Sequence, residues 1–489
     1  MAAKTTQPNI VVLMTDQQRV GLTGAEGGPD SMPRVDALFA DGARFDRAYT
    51  SCPACVPART SLLTGRFPSA HRVRQNSNAE HAFYSKDLLD VLRAAGYSLH
   101  FSGKPHMHPG PQDFDTFHGP FMHDRGPTES AAHEEFDAWL HGLDHAVTEE
   151  PTPFPLESQL PYRIVDGAIR AVDGAPAEDP YFLWLSFPEP HNPYQVPEPY
   201  FSMFDEAEVP ERLAGPEALD ALGWRFRWLH RLIEEKRPGF DQVWRRYRAN
   251  YLGMLRMIDD QIGRLVDHLA DQPGGLENTV FVFLTDHGDF VGDYGLQRKG
   301  AGLPEALTRI PLAVAGPGVE TQHRSELVSM VDLLPTIAEW VGQPIPPGVQ
   351  GRSLAPLLRG GEAPPSEFST IYAEHGYGGV SYAETDRPPL HFPYQGYTFD
   401  ELNSVTQSGE MRMVVGGRYK LIVDDRSEVF LYDLESDPAE TKDLSDDAAL
   451  AGVREDLYRQ LVQWLLRVAD DLPEGDYQPK SRPHNWRWA

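Results

Sequence analysis

Runs of apolar residues divide the first 300 residues into alternating strands and helices. Largely apolar runs occupy residues 9–14, 181–187 and 279–284, and the first and third of these runs contain β-branched residues. Such runs predict strands buried on both faces, as at the centre of a parallel sheet. Leucine and isoleucine recur at helical spacing over residues 252–269, which predicts a long helix. This alternation of helix and strand predicts a doubly wound α/β sheet.

Shorter elements complete the predicted sheet. Amphipathic helices are predicted at residues 35–42 and 88–95, and strands at residues 44–49 and 97–101. Residues 106–155 are rich in His, Pro, Gly and acidic residues, and we interpret them as long loops above a pocket. Six histidines in this stretch leave a second metal site open as an alternative to loop residues. They are His108, His118, His123, His133, His141 and His145.

The pattern changes after residue 380. Residues 411–432 contain three short β-type segments joined by turns, and residues 453–468 predict a helix. We therefore predict a catalytic domain at residues 1–380, built on a large, mixed, mostly parallel sheet sandwiched by helices. A small α+β domain with an antiparallel sheet and a helix is predicted at residues 381–489.

Composition and net charge limit the kinds of molecule that the protein is expected to bind. The 489-residue chain has 44 Lys and Arg against 72 Asp and Glu, for a net charge of -28. This field repels nucleic acids and anionic membranes, but it does not exclude a small anionic substrate. No apolar run can span a bilayer, and residues 1–8 contain no signal-peptide core. We therefore expect a cytoplasmic protein, unless a leader precedes this sequence, and a homo-oligomer is left open.

Polar side chains follow two of the predicted strands, at the ends where α/β folds place their sites. Asp16 and Gln17 follow the first strand, and Asp286 and His287 follow the strand at residues 279–284. Carboxylate and amide oxygens favour Ca²⁺ or Mg²⁺, and the imidazole would also accept Mn²⁺. A strand-end Asp that caps a helix is the alternative.

The segment CVPARTSLLTGR, residues 55–66, places a cysteine just before a predicted helix and Arg59 one turn along. Backbone N–H groups of a helix start and a guanidinium fork both favour sulfate or phosphate oxygens. Cys52 and Cys55 are the two cysteines of the chain, so no disulfide framework is expected. Their C-x-x-C spacing leaves a thiol redox pair as an alternative, and a structural cysteine beside a solvated arginine is another.

Residues 55–66 resemble the C-x-P-[SA]-R-x-x-x-x-T-G-R signature of the sulfatase family. Residues 286–296, DHGDFVGDYGL, are similar to the metal segment of that family, D-H-G-D-x-x-G-D-x-G-L, at every fixed position. Other segments also resemble family motifs. These are GKPH at 103–106, PHNP at 190–193, Lys299 with Glu305 and RIP at 309–311, GRYK at 417–420, and LYDLESDPAE at 431–440. The resemblance covers nearly the whole chain and implies the α/β fold of the alkaline phosphatase superfamily.

The resemblance implies a modified residue and a metal. In sulfatases a formylglycine-generating enzyme oxidises the signature cysteine to Cα-formylglycine, whose hydrate attacks the sulfur of an organic sulfate monoester. Here that residue is Cys55. The metal, Ca²⁺ with Mg²⁺ or Mn²⁺ as alternatives, would be bound by Asp16, Gln17, Asp286, His287 and residue 55 itself.

The resemblance also implies roles for the remaining motif residues. Arg59 would orient the hydrated aldehyde, while Lys104 and Lys299 would bind the sulfuryl oxygens and stabilise the charge that spreads over them. His191 is the candidate acid for the leaving alcohol. His106 is the candidate base that removes the second hydroxyl proton, so that sulfate is expelled and the aldehyde returns.

Gln17 departs from the Asp-Asp pair of many sulfatases. The Asp-Gln form resembles choline-sulfatase-like enzymes and phosphonate monoester hydrolases. A phosphonate monoester or phosphodiester hydrolase is therefore the nearest alternative to a sulfatase acting on a small sulfate ester. A non-catalytic sulfate-ester-binding protein with unconverted Cys55 is a further alternative. Five polar residues after the signature are candidates for the pocket lining: Arg72, Arg74, Gln75, Asn76 and Asn78.

Overall fold

The structure is a computed structural model of the chain. It describes residues 7–469 except 77–78, 145, 177–178, 273, 301, 379, 389–392, 395–396 and 399–407. Two candidates from the sequence, Asn78 and His145, lie outside the described residues.

The secondary structure alternates between strands and helices over most of the chain. The strands are β1 (Asn9–Thr15), β2 (Ala43–Phe45), β3 (Ala48–Tyr49), β4 (Ser98–Gly103), β5 (Thr116–His118), β6 (Tyr181–Ser186), β7 (Thr279–Thr285), β8 (Arg309–Ile310), β9 (Leu312–Ala315), β10 (Gln322–Arg324), β11 (Val328–Ser329), β12 (Thr370–His375), β13 (Pro393–Tyr394), β14 (Tyr397–Thr398), β15 (Met411–Gly416), β16 (Tyr419–Asp424) and β17 (Val429–Asp433). The helices are α1 (Pro33–Leu38), α2 (Cys55–Thr64), α3 (Pro68–His71), α4 (Leu88–Ala94), α5 (Ala131–Gly142), α6 (Leu160–Asp173), α7 (Tyr200–Met203), α8 (Leu219–Leu222), α9 (Trp224–Lys236), α10 (Trp244–Ala270), α11 (Glu305–Thr308), α12 (Leu333–Trp340), α13 (Ala355–Leu358) and α14 (Ala451–Val468).

An eight-stranded sheet in the order β10-β2-β9-β7-β1-β6-β4-β5 forms the centre of the molecule. β1 pairs in parallel with both β6 and β7, and β6 pairs in parallel with β4. β9 is antiparallel to both β7 and β2. The predicted mixed, mostly parallel sheet is therefore confirmed.

Strand β1 is buried on both faces, as its continuous apolar sequence predicts. Val11 and Leu13 pack into a core that includes residues of α6 and α10. Ile10, Val12 and Met14 pack into a second core with residues of α2, α4 and α12. Helices therefore cover both faces of the sheet, which confirms the doubly wound arrangement.

The structure differs from the sequence prediction in two short elements. Helix α1 spans Pro33–Leu38 rather than residues 35–42, because Pro33 supplies the fixed φ that suits the first turn of a helix. The strand predicted at residues 44–49 is two strands, β2 and β3, which belong to different sheets.

The prediction of loops throughout residues 106–155 is wrong, because this stretch contains strand β5 and helix α5. Ser130 caps α5 by accepting a hydrogen bond from the backbone N–H of His133. Phe136 and Leu140 of α5 are buried in the core. Helix α5 was not predicted because few of its residues are apolar and buried, and because the stretch around it is rich in His, Pro and acidic residues.

A four-stranded antiparallel sheet in the order β12-β15-β16-β17 lies near the C-terminal end. Helix α14 packs against this sheet through Leu457, Leu461 and Trp464. The predicted antiparallel strands and helix are confirmed. Strand β12 precedes residue 381, so the sheet draws on both sides of the predicted boundary, and the division into domains stays a prediction. Over the described part of the chain, the helices lack the combination of length and apolarity that crossing a bilayer requires.

Candidate active site

The carboxyl ends of four adjacent strands bring the predicted site residues together. The parallel register pairs Thr15 of β1 with Thr285 of β7, so Asp16 and Asp286 leave neighbouring strands side by side. Gly103, at the end of β4, has φ 133°, and a Cβ there would lie 1.9 Å from the carbonyl oxygen of a residue in β6. Glycine is therefore needed at this close approach of β4 to β6, from which the chain enters the site.

Four buried residues form a group that fits a metal ion. Asp16, Cys55, Asp286 and His287 each offer one ligand atom, and these atoms all lie within 4.8 Å of one another. Cys55 Sγ lies 3.4 Å from His287 Nε2 and 3.7 Å from Asp16 Oδ1. His287 Nδ1 lies 2.9 Å from the carbonyl oxygen of Gly288, which leaves Nε2 to face the group. Two carboxylates, an imidazole and residue 55 suit a divalent cation.

Cys55 is the first residue of α2, which is buried along its whole length. Its N-cap, Ala54, makes no side-chain cap. Asn76 instead accepts a hydrogen bond of 3.0 Å from the backbone N–H of Val56. The candidate nucleophile therefore stands at the positive end of a helix that a distant loop residue helps to hold.

Arg59 lies one turn along α2 and is completely buried. Its guanidinium donates to Asp286 Oδ2 at 2.9 Å and to Asp16 Oδ2 at 2.9 Å. It also donates to the carbonyl oxygen of Lys104 at 2.7 Å and to Ser186 Oγ at 2.6 Å. The planar fork therefore ties together two of the candidate metal ligands and the strand ends that carry them.

Positive charge surrounds the group. Lys104 Nζ lies 2.8 Å from Asp16 Oδ2. Burial raises the pKa of Asp16, but Lys104 and Arg59 outweigh it and hold that pKa well below its usual range. Burial and Asp16 also oppose ionisation of Cys55, yet Lys299 and Lys104 contribute to a net lowering of its thiol pKa. The electrostatic environment at residue 55 therefore favours an anion.

Lys299 and His191 form a hydrogen-bonded pair beside this group. Lys299 Nζ lies 3.3 Å from His191 Nε2 and 3.2 Å from Gln17 Oε1. His191 Nδ1 lies 2.9 Å from the carbonyl oxygen of Asn192, so Nδ1 carries the proton and Nε2 accepts from Lys299. Burial, followed by Lys104, keeps the pKa of His191 well below its ordinary value. His191 is therefore neutral at neutral pH.

His106 follows β4 and is half-buried, with φ 32°. Burial and the charge of Lys104 hold the pKa of His106 well below its ordinary value. A neutral imidazole can accept a proton, as the base predicted from the sequence must do.

Other candidates from the sequence lie in different surroundings. Of the pocket-lining candidates, Asn76 reaches the start of α2, whereas Arg74 pairs with Glu410 at 2.7 Å. Of the loop histidines, His123 packs against His191 with ring centroids 5.1 Å apart. Among the described residues, none of the loop histidines belongs to a group with metal-binding geometry.

The second cysteine does not have the environment of a reactive thiol. Cys52 and Cys55 are both free and buried. Burial, followed by Glu374, strongly raises the pKa of Cys52. A raised pKa suppresses the thiolate that disulfide exchange requires, which disfavours the redox alternative.

Two contacts at this site were not predicted from the sequence. The amide nitrogen of Gln17 donates to Asp289 Oδ2 at 2.6 Å, and Tyr194 OH donates to the same oxygen at 3.0 Å. Asp289 lies within the motif segment at residues 286–296, and Tyr194 directly follows the motif segment at residues 190–193. Their position in or next to these segments is the feature of the sequence that could have pointed to them.

Comparisons with known proteins agree with this geometry. The profile of the Sulfatase family matches residues 8–343. The arylsulfatase of Clostridium perfringens is 28% identical over 413 residues, which cover 76% of this chain and 82% of the relative. The choline-sulfatase of Rhizobium meliloti is 28% identical over 394 residues and covers 76% of each chain.

A solved structure shows the same fold. The phosphonate monoester hydrolase SpPMH from Silicibacter pomeroyi superposes with a TM-score of 0.73 at 25% identity, covering 94% of this chain and 96% of that chain. The fold is alkaline-phosphatase-like. Because the family profile spans well over half of the sequence and includes the buried group around Cys55, the chain belongs to the sulfatase family.

Proposed function

We propose that this protein is a formylglycine-dependent sulfatase that hydrolyses a small organic sulfate monoester with the help of a divalent cation. One observation carries this proposal: Cys55 stands at the start of a buried helix, in contact distance of Asp16 and His287. Ca²⁺ suits the two carboxylates best, and Mg²⁺ or Mn²⁺ are alternatives because of the imidazole.

Residue 55 and the cation would supply the chemistry. Oxidised to formylglycine and hydrated, residue 55 would offer one hydroxyl for attack on sulfur and a second for release of sulfate, while a bound cation would lower the pKa of the attacking hydroxyl. Arg59 would contribute by positioning, because its guanidinium donates to both Asp16 and Asp286. Lysine would not reproduce that fork.

Two lysines would bind the sulfuryl oxygens. Lys104 and Lys299 are buried, so their charges act at low dielectric and need no reorganisation when negative charge develops. Removal of one such donor typically lowers kcat by about 10²–10³-fold. The same charges would favour entry of an anion into a protein whose overall charge is strongly negative.

Proton transfers are assigned to the histidines and their partners. His191 Nε2 accepts from Lys299, so we assign protonation of the leaving alcohol to the pair rather than to His191 alone. His106, whose pKa is held well below its ordinary value by burial and Lys104, would take the proton of the second hydroxyl. Each positioned proton transfer contributes about 10²–10⁴-fold.

The depth of the site supports a compact substrate. Cys55, Lys104 and His287 are 0–1% exposed, and His191 and Lys299 are 3–4% exposed. An ester whose sulfate projects from one end would reach these residues most readily. We therefore favour an aryl, choline or mono- or oligosaccharide sulfate over an internal sulfate of a long polymer.

The test uses protein co-expressed with a formylglycine-generating enzyme. Intact mass should show replacement of the Cys55 thiol by an aldehyde, and a panel of sulfate esters should include one that the wild type hydrolyses. Cys55→Ala, made under the same conditions, is the matched control and should be inactive. Unmodified Cys55 in an inactive wild type would instead support the non-catalytic binding protein.

A phosphonate monoester or phosphodiester hydrolase remains the second candidate. The similarity to SpPMH favours it, since 96% of that chain is covered. Relative kcat/KM on an aryl sulfate and on an aryl phosphonate or phosphodiester separates the two. Dominant activity toward the phosphorus esters would overturn the sulfatase assignment while leaving the nucleophile and metal site intact.

A further inference from the structure

The backbone of Gln17 is held in an unusual conformation. Gln17 is fully buried and has φ 72°, a region that non-glycine residues seldom adopt. Its N–H donates to Asp286 Oδ1 at 3.0 Å, and its carbonyl oxygen accepts from Tyr251 OH at 2.6 Å. Such strain persists where surrounding contacts over-determine it, and it is common at functional sites. The position of the Gln17 side chain is therefore tightly defined.

The orientation of the Gln17 amide is defined at both of its ends. Its oxygen accepts from Lys299 Nζ at 3.2 Å, and its nitrogen donates to Asp289 Oδ2 at 2.6 Å. A lysine ammonium has only donors, and an ionised carboxylate has only acceptors. A flipped amide would place NH₂ against the ammonium and oxygen against the carboxylate, so both contacts would become repulsive.

Asp289 is itself surrounded by donors. Tyr194 OH donates to Oδ2 at 3.0 Å, and the backbone N–H of Val291 donates to Oδ1 at 2.7 Å. Tyr247 OH makes a short hydrogen bond to Oδ1. Because each of these partners is a donor, both oxygens of Asp289 act as acceptors and the plane of the carboxylate that faces Gln17 is fixed.

We propose that Asp289, supported by Tyr194 and Tyr247, is a positioning residue that keeps the oxygen of Gln17 turned toward Lys299. The amide oxygen of Gln17 is also the atom that it would offer to a cation, and it has a second lone pair for Lys299. Lys299 is thereby held between Gln17 Oε1 and His191 Nε2, in the place where it would meet the sulfuryl oxygens and the leaving group. The inference rests on the proposed function, because Lys299 is the group that Asp289 serves. Asp289 itself touches no reacting atom.

The orientation can be reversed by substitution. Asp289→Asn removes the obligatory acceptor and permits either amide orientation at Gln17. Gln17→Glu places two carboxylates in contact. In the double variant Q17E/D289N, the Asn amide nitrogen can donate to one Glu oxygen while the other oxygen still faces Lys299. The double variant also preserves the net charge of the site.

The experiment compares the wild type, both single variants and the double variant. kcat, KM and formylglycine content are measured on the ester that the wild type hydrolyses best, and thermal midpoints are measured with a chelator present. Each single variant is expected to lose about 10–100-fold in kcat per formylglycine, with a smaller change in KM. The double variant should recover about tenfold of that loss, as coupled residues in contact do.

Two outcomes would overturn the inference. One is a D289N variant with wild-type kcat, and the other is a double variant no better than the worse single variant. Tyr200→Phe, which removes a tyrosine hydrogen bond of 2.9 Å to Asp260, is the control for a purely structural role, and it should lower the thermal midpoint and leave kcat unchanged. A wild type that prefers phosphorus esters would contradict the proposed function alone, because the coupling between positions 17 and 289 can be measured on those esters and in the thermal midpoints.

Discussion

Glu189→Gln tests how a buried carboxyl beside the site affects stability. Glu189 follows β6 and has 4% exposure. Its carbonyl oxygen accepts from the backbone N–H of Asp16, while its side-chain Oε2 has no hydrogen-bond partner among the described residues. Burial raises the pKa of Glu189 from 4.5 to about 8, against the lowering effects of its own backbone N–H and of Lys104. The carboxyl is therefore protonated in the folded protein at neutral pH.

The size and sign of the effect follow from this pKa. Between pH 4.5 and about 8 the folded protein retains a proton that the unfolded chain has lost. The contribution of Glu189 to the free energy of unfolding is therefore greatest below its unfolded pKa. It falls by about 1.4 kcal/mol per pH unit as pH rises toward its folded pKa, and is lost above it. Over the full range from pH 4.5 to about 8 this contribution to stability amounts to about 5 kcal/mol, and about 3 kcal/mol of it has been lost at pH 7.

Glutamine does not titrate, so Glu189→Gln should remove this dependence. Urea unfolding of chelator-treated wild type and variant is measured from pH 5 to pH 9. The stability difference should shift toward the variant by about 1.4 kcal/mol per pH unit and level off near pH 8, on top of a constant offset from the buried amide. Glu455→Gln, at a side chain with 74% exposure, is the control and should show no such slope. A pH-independent difference between wild type and E189Q would refute the reasoning.

Three further predictions concern the site and the C-terminal sheet. Arg59→Lys should lower kcat by about 10²–10³-fold in fully modified protein, because one ammonium cannot serve four acceptors, and unchanged kcat would contradict the positioning role. Lys420→Met should lower the free energy of unfolding by about 3–5 kcal/mol in urea titrations. It leaves Glu305 and Glu440 uncompensated, which lie 3.1 Å and 2.9 Å from Lys420 Nζ, and a loss below 1 kcal/mol would contradict this. Chelation should lower the thermal midpoint, and Ca²⁺ at about 100 times its Kd should restore about 2.7 kcal/mol.

The fold was predictable where sequence pattern and burial coincide. Residues 10–14 and 280–284 are apolar without interruption, and they lie in the adjacent central strands β1 and β7. Their polar successors, including Asp16 and Asp286, meet because parallel neighbours end at the same edge. The ligand group was therefore accessible from strand prediction together with the motifs.

The remaining features depend on contacts between distant parts of the chain. Helix α5 buries only Phe136 and Leu140 within a stretch rich in His and acidic residues, so the helical spacing of its apolar residues was not recognisable. The raised pKa of Glu189 arises from burial by several elements, which no local pattern reports. Gln17 and Asp289 are separated by 272 residues, and no sequence rule pairs an amide with a particular carboxylate at that distance.

The pairing of Gln17 with Asp289 changes how the identity of residue 17 is explained. Glutamine at position 17 donates to Asp289 and also presents an oxygen to Lys299, whereas an aspartate carboxylate has acceptors alone. Gln17 is thus accounted for by its neighbours, and the choice between sulfur and phosphorus esters does not follow from it. Sulfate and phosphonate esters of one alcohol differ in the group that is transferred, which Lys104 and Lys299 would bind under the proposed function. His123 packs against His191 with ring centroids 5.1 Å apart, so we expect substitutions at His123 to alter selectivity among leaving alcohols instead.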